Sequence, residues 1–497
     1  MKFLSIILLM IFSISSVSQE LVLPGDHPDP SVVKIGDTYW ASSTSSNWFP
    51  AYPLLKSTDL KKWTLTSHVF QQLPEWADYY FWAPEISFEN GRVYIYYAAH
   101  KKNGNLCVAV ASADKPEGPY RDHGPLLCQE AGSIDAFPVR DIDGKLYMVW
   151  KEDGNSVGKP TPIWAIQMNE ERTGMIGEKK ELFRNDAQWE GNLVEGVSMV
   201  RHGEFLYAFY AGAGCCGRGC TYAIGIARTK SLLGPWEKYN KNPVLGNDEK
   251  WICPGHGTPV EKDGKNYFLY HAYNKKTNVY TGREGLLIEY NVTKDNWIEF
   301  IKQKNSSNPS ESLITNDKFR NRILSPHWER NVFQKADVTV GGGKLKLSAL
   351  PLPSGAFIGQ KIVSGDFTSS ITILTRKSSA TSGLAVIGDE KNIISVVYSN
   401  NKLIIYQVKD GKETQIMERS IKAKNKLHLY VEVRNSKDIS FWVINGNKKE
   451  LGPLNAKPID GSFLPPWDRA LRTGPVSKGN PGEIAVFERF HVVYLYQ

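Results

Sequence analysis

The sequence predicts an all-β protein in which a five-bladed β-propeller is followed by an antiparallel β-sandwich. Three observations carry this prediction: one short phrase recurs five times in the first 285 residues, the repeated units contain short strands, and the composition changes near residue 300. Repeats of about 50 residues made of short strands are typical of propeller blades. A chain of 497 residues is also too long for one core and favours two or three domains.

Each copy of the repeated phrase is a Gly in a tight polar turn, followed by an aromatic strand. The glycines are 55, 53, 59 and 61 residues apart, which is too regular for chance. Alternating patterns, as in residues 93–97, fit strands buried between neighbouring blades. We therefore expect the propeller over residues 21–300. The copies read Gly36-DTYWASS, Gly91-RVYIYYA, Gly144-KLYMVWK, Gly203-EFLYAFY and Gly264-KNYFLYH.

The composition changes after the fifth repeat. Residues 301–314 are polar, contain Pro and lack apolar periodicity, so we interpret them as a linker. Residues 315–497 carry a different set of short strands separated by turn signals. This pattern predicts a β-sandwich whose last strand ties the C-terminus into a sheet.

The N-terminus predicts export. Lys2 precedes a short apolar run and then small residues, so residues 1–18 are expected to be a signal peptide. The apolar run is too short to span a bilayer, and no Cys follows the cleavage region to carry a lipid. We therefore expect a secreted or periplasmic protein without membrane insertion.

The formal net charge of +8 is mild for a chain of this size. It is compatible with an acidic polymer as partner, although a solvated surface is the simpler interpretation. No cluster of Lys and Arg resembles a nucleic-acid footprint, so we expect no nucleic acid among the partners. The oligomeric state is left open at this point.

Six cysteines in an exported chain are expected to be mostly disulfide-bonded or buried. Cys107 and Cys128 flank one blade segment and could pair. Adjacent cysteines are awkward for a zinc site, which needs four suitably spaced ligands. We therefore interpret the remaining four as a disulfide-stapled loop without assigning their connectivity: Cys215, Cys216, Cys220 and Cys253.

Side chains that could perform chemistry stand where the inner strand of each blade begins. The first strand of every blade lines the propeller axis, so these side chains are expected to converge on one face of the funnel. A single acidic strand start could be structural, but converging carboxylates raise one another's pKa and usually mean catalysis or metal binding. The five inner strands begin with Asp29, Glu85, Asp135, Glu195 and His256.

Two carboxyl groups across a sugar ring are the standard apparatus for glycoside hydrolysis. One stays ionised as base or nucleophile, and the other is kept protonated to donate to the leaving oxygen. A third carboxylate can orient the acid and hold its pKa up. Asp29, Asp135 and Glu195 fill these three positions, whereas Glu85 is interpreted as a wall or packing residue of the pocket.

Five stretches of the chain resemble, in order and spacing, glycoside hydrolase family 43 over about residues 25–290. The resemblance implies a five-bladed propeller that inverts the anomeric centre, with Asp29 as general base, Glu195 as general acid, and Asp135 as pKa modulator and orienter. It also implies a concanavalin-like C-terminal sandwich. The stretches are His27-PDPSV, Trp82-APEI, Ser133-IDAFP, Val194-EGVSM and Gly255-HGTPV.

The resemblance also implies roles for His256 and Arg283. His256 would lie on the axis, where many members of the family hold a calcium ion through waters. One imidazole with bridging waters would be an unusual calcium site, so a structural role for His256 stays equally open. Arg283 stands where the family places an arginine near the sugar.

The expected pocket walls contain aromatic side chains and the cysteine-rich loop. Trp48 and Phe49 could stack on a sugar face or pack within the blades, and Trp82 belongs to a second aromatic approach. The loop at residues 212–220 would form a rigid rim that shapes the site towards a short chain end. The segment at residues 464–474 could enter the active-site mouth, bind glycan or give structural support.

The carboxylate trio favours an inverting, exo-acting glycosidase that removes pentose units from oligosaccharides, as a β-D-xylosidase or α-L-arabinofuranosidase. Alternatives are an endo-acting arabinanase of the same fold and a non-catalytic glycan-binding propeller, which would need no converging carboxylates. A retaining, fructan-cleaving propeller would open with Asn-Asp-Pro-Asn, whereas this chain has His-Pro-Asp-Pro at residues 27–30. The sugar, the linkage and the choice of exo or endo action stay open.

Overall fold

The computed structural model describes residues 19–301, 314–334, 337–445, 448–449 and 453–495, which consist mainly of β-strands and turns. The predicted signal peptide, residues 1–18, lies outside the described residues, and so do residues 302–313 of the predicted linker. No helix in these ranges is long and apolar enough to span a membrane. Short 3-10 turns occupy Gly154–Val157, Gln188–Glu190 and Asn278–Tyr280.

Residues up to Phe300 form five antiparallel sheets, each built around one copy of the repeat. The strands of the first two blades and the N-terminus are β1 (Glu20–Leu23), β2 (Ser31–Ile35), β3 (Thr38–Ser42), β4 (Trp48–Phe49), β5 (Ala51–Ser57), β6 (Thr64–Phe70), β7 (Ala77–Glu89), β8 (Arg92–Lys101), β9 (Leu106–Ala113) and β10 (Arg121–Cys128). Those of the next three are β11 (Ser133–Arg140), β12 (Leu146–Glu152), β13 (Ile163–Met168), β14 (Met175–Phe183), β15 (Val194–His202), β16 (Phe205–Gly212), β17 (Ala223–Thr229), β18 (Glu237–Lys238), β19 (Trp251–Lys262), β20 (Lys265–Asn274), β21 (Arg283–Val292) and β22 (Ile298–Phe300).

The five sheets close into a propeller. The inner strands contact one another in the ring β2, β7, β11, β15, β19 and back to β2. The N-terminal strand β1 pairs with β21 and so completes the fifth blade from the opposite end of the domain. The predicted five-bladed propeller is confirmed, with the inner strands where the repeat placed them.

The repeated glycines have a shared backbone reason. All five adopt positive φ, between 59° and 79°, in the turn that joins the inner strand of a blade to the next strand. A side chain at positive φ is strained, whereas Gly populates this region readily. The recurrence of Gly in the sequence therefore follows from the recurrence of one turn conformation.

The C-terminal region forms two antiparallel sheets. One has the order β25-β26-β39-β29-β34-β35-β36, and the other β27-β38-β30-β31-β32-β33. The strands of these two sheets are β23 (Ile314–Asp317), β25 (Val338–Gly341), β26 (Lys344–Ser348), β27 (Ala356–Phe357), β28 (Gln360–Lys361), β29 (Phe367–Leu374), β30 (Thr381–Ile387), β31 (Ile393–Ser399), β32 (Lys402–Lys409), β33 (Lys412–Ser420), β34 (Lys426–Arg434), β35 (Asp438–Asn445), β36 (Lys448–Lys449), β37 (Ile459–Asp460), β38 (Arg472–Lys478) and β39 (Ile484–Tyr494), and the short strand β24 (Arg330–Asn331) lies outside both sheets.

The two sheets pack face to face as a β-sandwich. In β34 the side chains of Leu427, Leu429, Val431 and Val433 are fully buried, and the residues between them face outwards. This alternation is what a strand with one buried face requires. The last strand, β39, pairs with both β26 and β29 inside its sheet, as the sequence predicts.

The sandwich is joined to the propeller by backbone pairing and by buried charge. Strand β24 of the sandwich region pairs with β4 of the first blade. Arg472 is 1% exposed, and its guanidinium lies 3.0 Å from Asp26 of the propeller and 2.8 Å from Glu329. A buried Arg with two carboxylate partners is costly to separate, so this junction holds the domains together.

All six cysteines are paired. Cys107 bonds to Cys128 across β9 and β10, as the spacing predicts. The loop after β16 contains two different links: Cys220 bonds to Cys253 on β19, whereas Cys215 bonds to its immediate neighbour Cys216. The predicted loop staple is therefore the Cys220–Cys253 bond, and the adjacent pair forms a separate small ring.

Candidate active site

A cavity of about 590 Å³ opens where the inner strands of the propeller begin. Asp29, Asp135 and Glu195 line it, and each comes from a different blade. His256 and Arg283 line the same cavity. The structure thus brings together the three carboxyl groups that the sequence singles out, because the propeller axis collects the starts of the inner strands.

Local backbone distortions aim these side chains at the axis. Asp29 and Asp135 adopt positive φ, 51° and 58°, as does His256 at 24°. The pairing register also shifts at the start of β11, β15 and β19, which marks β-bulges. Bulges and unfavourable backbone conformations cluster at functional sites, where they re-aim a side chain at some cost in stability.

Asp29 is a buried carboxylate surrounded by donors. Thr44 donates a hydrogen bond of 2.6 Å to its Oδ2, and Arg283 one of 3.0 Å to its Oδ1. Burial raises the pKa of Asp29, but the charge of Arg283, helped by His271, outweighs it and lowers the pKa to about 2. Asp29 is therefore ionised at neutral pH, as a base must be.

Asp135 has the opposite electrostatic environment. Its Oδ2 accepts a 2.9 Å hydrogen bond from the backbone N–H of Gly196, which follows Glu195. Burial, together with the negative charge of Glu195 and against the influence of His256, raises the pKa of Asp135 to about 6. Two carboxyl groups on one site are thus held at different proton affinities, which is typical of acid–base pairs.

Glu195 is held by two donors that the sequence did not single out. Tyr222 donates a 2.5 Å hydrogen bond to Oε1, and Lys151 donates to Oε2. The hydroxyl of Tyr222 is itself buried, and burial raises its pKa well above the usual value, so it remains a donor. Both contacts fix the direction in which the carboxyl group of Glu195 faces the cavity.

Lys151 is a buried cation in the middle of the site. Its side chain is 1% exposed and forms ion pairs with Glu195 and, at 2.8 Å, with Asp153. Burial lowers the pKa of Lys151, but the charges of Glu195 and Asp153 outweigh it and raise the pKa above its usual value. The sequence signal that could have revealed Lys151 is a charged residue within the otherwise apolar strand β12, which pairs with the strand that carries Asp135.

His256 stands between two of the carboxylates. Its Nδ1 is 3.6 Å from Oδ1 of Asp29 and 3.9 Å from Oδ2 of Asp135. Within the described part of the chain, no three His, Cys, Asp or Glu side chains are grouped so as to hold a metal ion. Calcium prefers a shell of several oxygen ligands, and the calcium ion held through waters that the resemblance implies stays a prediction.

Aromatic side chains form one wall of the cavity. Trp82 lines it as expected, stacked on Tyr80 at 4.4 Å between ring centroids. Trp467 of the sandwich meets Trp82 edge to face at 6.1 Å and is 51% exposed. An exposed ring beside a polar cavity is suited to contact a sugar face.

The expectation that Trp48 and Phe49 stack on the sugar is corrected by the structure. The two side chains are 0% and 1% exposed and do not line the cavity. Trp48 packs against Phe357 and the guanidinium of Arg472, at the junction between propeller and sandwich. Phe49 packs on Phe81 within the propeller and under the guanidinium of Arg330. Both rings are therefore packing residues, one at the junction of the two domains and one mainly within the blades.

The segment from the sandwich completes the mouth of the site. Asp468 accepts a 2.7 Å hydrogen bond from Ser46 of the first blade, and its backbone carbonyl accepts one of 3.4 Å from Arg283. Of the alternatives left open for residues 464–474, the structure selects entry into the active-site mouth. The sequence could not decide this, since the contact joins residues more than 180 positions apart.

The sequence predicts Glu85 at the start of the second inner strand, but this strand begins at Ala77, and Glu85 lies well inside it and does not line the cavity. Thr258 donates a 3.2 Å hydrogen bond to it, and burial raises its pKa well above the usual value. Burial thus favours the neutral form of this carboxyl group over the charged one. Glu85 is therefore a buried packing residue near the axis.

Two family models match this chain. Residues 18–298 match "Glycosyl hydrolases family 43", and residues 316–465 match "Beta xylosidase C-terminal Concanavalin A-like domain". Together with the structure, the second match identifies the sandwich as concanavalin-like.

The chain is similar to curated pentosidases. A xylan 1,3-beta-xylosidase of Vibrio sp is 25% identical over 276 residues, which are 52% of this chain and 50% of that protein. An extracellular exo-alpha-(1->5)-L-arabinofuranosidase of Cellvibrio japonicus is 25% identical over 289 residues, covering 51% of this chain and 80% of that protein. The chain thus spans about half the length of the Vibrio relative.

A solved structure shares the whole architecture. The xylan beta-1,4-xylosidase from Bacillus halodurans C-125 superposes with a TM-score of 0.80 at 20% identity, covering 95% of this chain and 99% of that chain. At this level of identity the likeness establishes the fold of both domains.

Proposed function

Since the chain belongs to glycosyl hydrolases family 43, we propose that it is an inverting, exo-acting glycoside hydrolase that releases pentose units, β-D-xylose or α-L-arabinofuranose, from oligosaccharides. The single observation that carries this proposal is the meeting of Asp29, Asp135 and Glu195, from three separate blades, around one cavity. The names of the pentosidases similar to this chain support the sugar class.

The geometry supports a single-displacement mechanism. Asp29, ionised because Arg283 lowers its pKa to about 2, takes a proton from a water that attacks the anomeric carbon. As the C–O bond to the leaving group breaks, Glu195 donates its proton to the departing oxygen. The nucleophilic water thus replaces the leaving group on the opposite face of the ring, and the configuration inverts.

Asp135 and Lys151 set the electrostatic environment of Glu195, the proposed general acid. Asp135, whose pKa is raised to about 6, and Glu195 repel each other as anions, so the pair favours keeping one proton between them. Lys151 balances the negative charge of Asp153 and the one that is left on the Asp135–Glu195 pair when the two share a proton. The same cation stabilises Glu195 after its proton has left.

The shape of the cavity favours action at chain ends. Trp467 and Asp468 close its mouth from the sandwich side, and Cys215 and Cys216 line it from the loop after β16. A cavity of about 590 Å³ that is bordered on these two sides suits one or two sugar units. An endo-acting enzyme needs an open cleft for a continuing chain, so exo action is the better match.

The test is hydrolysis of nitrophenyl β-D-xyloside, nitrophenyl α-L-arabinofuranoside and the matching oligosaccharides. Asp29→Asn and Glu195→Gln should each lower kcat/KM by at least 10³-fold, which is about the loss expected when a general base or a general acid is removed. Glu85→Gln is the matched control, because Glu85 is a buried carboxyl group at the corresponding place in the second repeat but lies outside the cavity. This change should leave kcat/KM within about threefold of the wild-type value. Full activity of either trio variant would disprove the assignment.

The stereochemistry has its own measurement. Proton NMR of the first product should show the anomer opposite to that of the substrate before mutarotation. Retention would instead require a nucleophile and a glycosyl-enzyme intermediate, and would exclude the inverting mechanism. No product with any pentoside or oligosaccharide, but saturable binding, would favour the glycan-binding alternative.

Export is the remaining part of the proposal. A related arabinofuranosidase of Cellvibrio japonicus is extracellular by name, and three disulfides are suited to an oxidising compartment. We expect residues 1–18 to be absent from the mature protein, which N-terminal sequencing of the exported chain would test.

A further inference from the structure

The adjacent cysteines in the loop after β16 are bonded to each other. The stabilisation that a disulfide gives to a fold grows with the length of chain it encloses. Cys215–Cys216 has a sequence separation of 1, whereas the separation is 33 for Cys220–Cys253 and 21 for Cys107–Cys128. The adjacent pair therefore contributes little to global stability, so any role of this disulfide depends on its local contacts.

The pair lies in the wall of the catalytic cavity. Cys215 and Cys216 both line it, in the same wall as Arg283. The Sγ of Cys215 is 3.9 Å from Nη1 of Arg283, and this same nitrogen donates to Asp29 at 3.0 Å. The disulfide thus lies against the guanidinium at the atom that holds the proposed base.

The loop that carries the ring is fixed on several sides. The backbone N–H of Gly217 donates a 3.1 Å hydrogen bond to the hydroxyl of Tyr273, and Gly217 packs so closely on Trp467 that an added Cβ would meet the Trp467 carbonyl at 3.0 Å. Arg218 donates to the backbone carbonyl of Ser462. The loop therefore links the propeller, the segment from the sandwich and the cavity.

The backbone of the ring is itself unusual. Cys216 has φ of 80°, a region that side-chain-bearing residues rarely occupy. Such a conformation persists where the surroundings enforce it, and it occurs most often at functional sites. The ring presents a rigid, polarisable sulfur surface where a free pair of cysteines would have rotatable side chains.

We propose that the Cys215–Cys216 disulfide is a positioning element of the active site, which holds Arg283 against Asp29 and thereby sets how tightly the sugar is bound. This inference rests on the proposed function, since the sugar is the ligand whose binding it adjusts. Arg283 also faces Asp468 and Tyr273, and its Nη2 contacts the Asp468 carbonyl. The Sγ of Cys215 lies against Nη1, so it borders the nitrogen that donates to Asp29, whereas Asp468 engages Nη2.

The test is a mutant cycle between the ring and Arg283. The double variant Cys215→Ala/Cys216→Ala should raise KM for the nitrophenyl pentoside about tenfold and lower kcat by less than threefold. In an Arg283→Lys background, where the guanidinium fork is already gone, the same double change should alter KM by less than twofold. Non-additivity of this kind reports direct coupling between neighbours.

The matched control is Cys107→Ala/Cys128→Ala, which removes a disulfide from the outer strands of the second blade, and it should leave KM unchanged. A KM within twofold of wild type in the Cys215→Ala/Cys216→Ala protein would overturn the inference, and so would additive effects in the two backgrounds. Peptide mapping that finds Cys215 bonded to Cys220 or Cys253 would overturn it as well. A wild-type protein without pentosidase activity would refute the proposed function itself, which separates the two failures.

Discussion

The substitution Lys151→Met tests the charge balance on which the catalytic proposal depends. The ammonium of Lys151 is buried between Glu195 and Asp153, and its charge also lowers the pKa of Asp135. Removing one member of a buried ion pair leaves uncompensated charge and costs about 3–5 kcal/mol. Without the positive charge of Lys151, which lowers the pKa of Asp135, that pKa would rise beyond about 6.

The expected result is a shift in the pH profile. In the wild type, kcat/KM should fall as the pH rises above about 6, because the Asp135–Glu195 pair loses its proton there. An interaction between charges at about 4 Å is worth about 4 kcal/mol at an effective dielectric constant of 20, and 1.36 kcal/mol corresponds to about one pH unit. Since the protein relaxes around the missing charge, only part of this energy is realised. The basic limb of the pH profile, where kcat/KM falls with rising pH, should therefore move up by at least one pH unit in Lys151→Met.

The assay is kcat/KM for a nitrophenyl pentoside between pH 4 and pH 9, together with thermal unfolding. Lys151→Arg keeps the charge and should keep the limb near its original position. Lys179→Met is the matched control, because Lys179 is 39% exposed in its ion pair with Glu152 and should affect neither quantity. A basic limb that stays in place in a folded Lys151→Met protein would refute the electrostatic reasoning.

Three further predictions follow from single contacts. Trp467→Ala should raise KM about tenfold with little loss of stability, since the ring is half exposed, whereas Phe333→Ala, also half exposed but outside the cavity, should change neither. Burial raises the pKa of Glu284 to about 8. Its contribution to the unfolding free energy is therefore complete below the unfolded pKa of about 4.5 and decreases by about 1.4 kcal/mol per pH unit as the pH rises towards 8. In denaturant titrations, Glu284→Gln should make the unfolding free energy less dependent on pH over this range. Arg472→Met strands the buried carboxylate of Glu329 and should cost about 3–5 kcal/mol, seen as a lower midpoint in thermal unfolding.

The propeller and its carboxylate trio could be predicted because both depend on local, repeated sequence. One turn conformation imposes Gly at a fixed place in each blade, and the residue six to nine positions earlier is carried to the axis by the strand between them. Asp29, Asp135 and Glu195 therefore meet by symmetry, whatever the loops do. No knowledge of side-chain packing was needed to bring them together.

The surroundings of the trio could not be predicted, because they depend on contacts between distant parts of the chain. Lys151 is in a strand that reads as apolar, and its partner Glu195 is 44 residues away. Trp48 is a residue type that often stacks on sugars, yet the sandwich buries it against Phe357. The pairing of Cys215 with Cys216 likewise depends on which cysteines the folded loop brings near Cys253.

The position of Asp468 explains why the catalytic domain carries a sandwich at all. The propeller alone supplies the three carboxyl groups, but Ser46 donates to the carboxylate of Asp468, and Arg283 contacts both the carbonyl of Asp468 and Asp29, so the sandwich contacts a group that holds Asp29. The buried Arg472 pairs with Asp26, three residues before Asp29. A displacement of the sandwich would therefore reach Asp29, the proposed base, through two separate sets of contacts, so we expect the two domains to act together in catalysis.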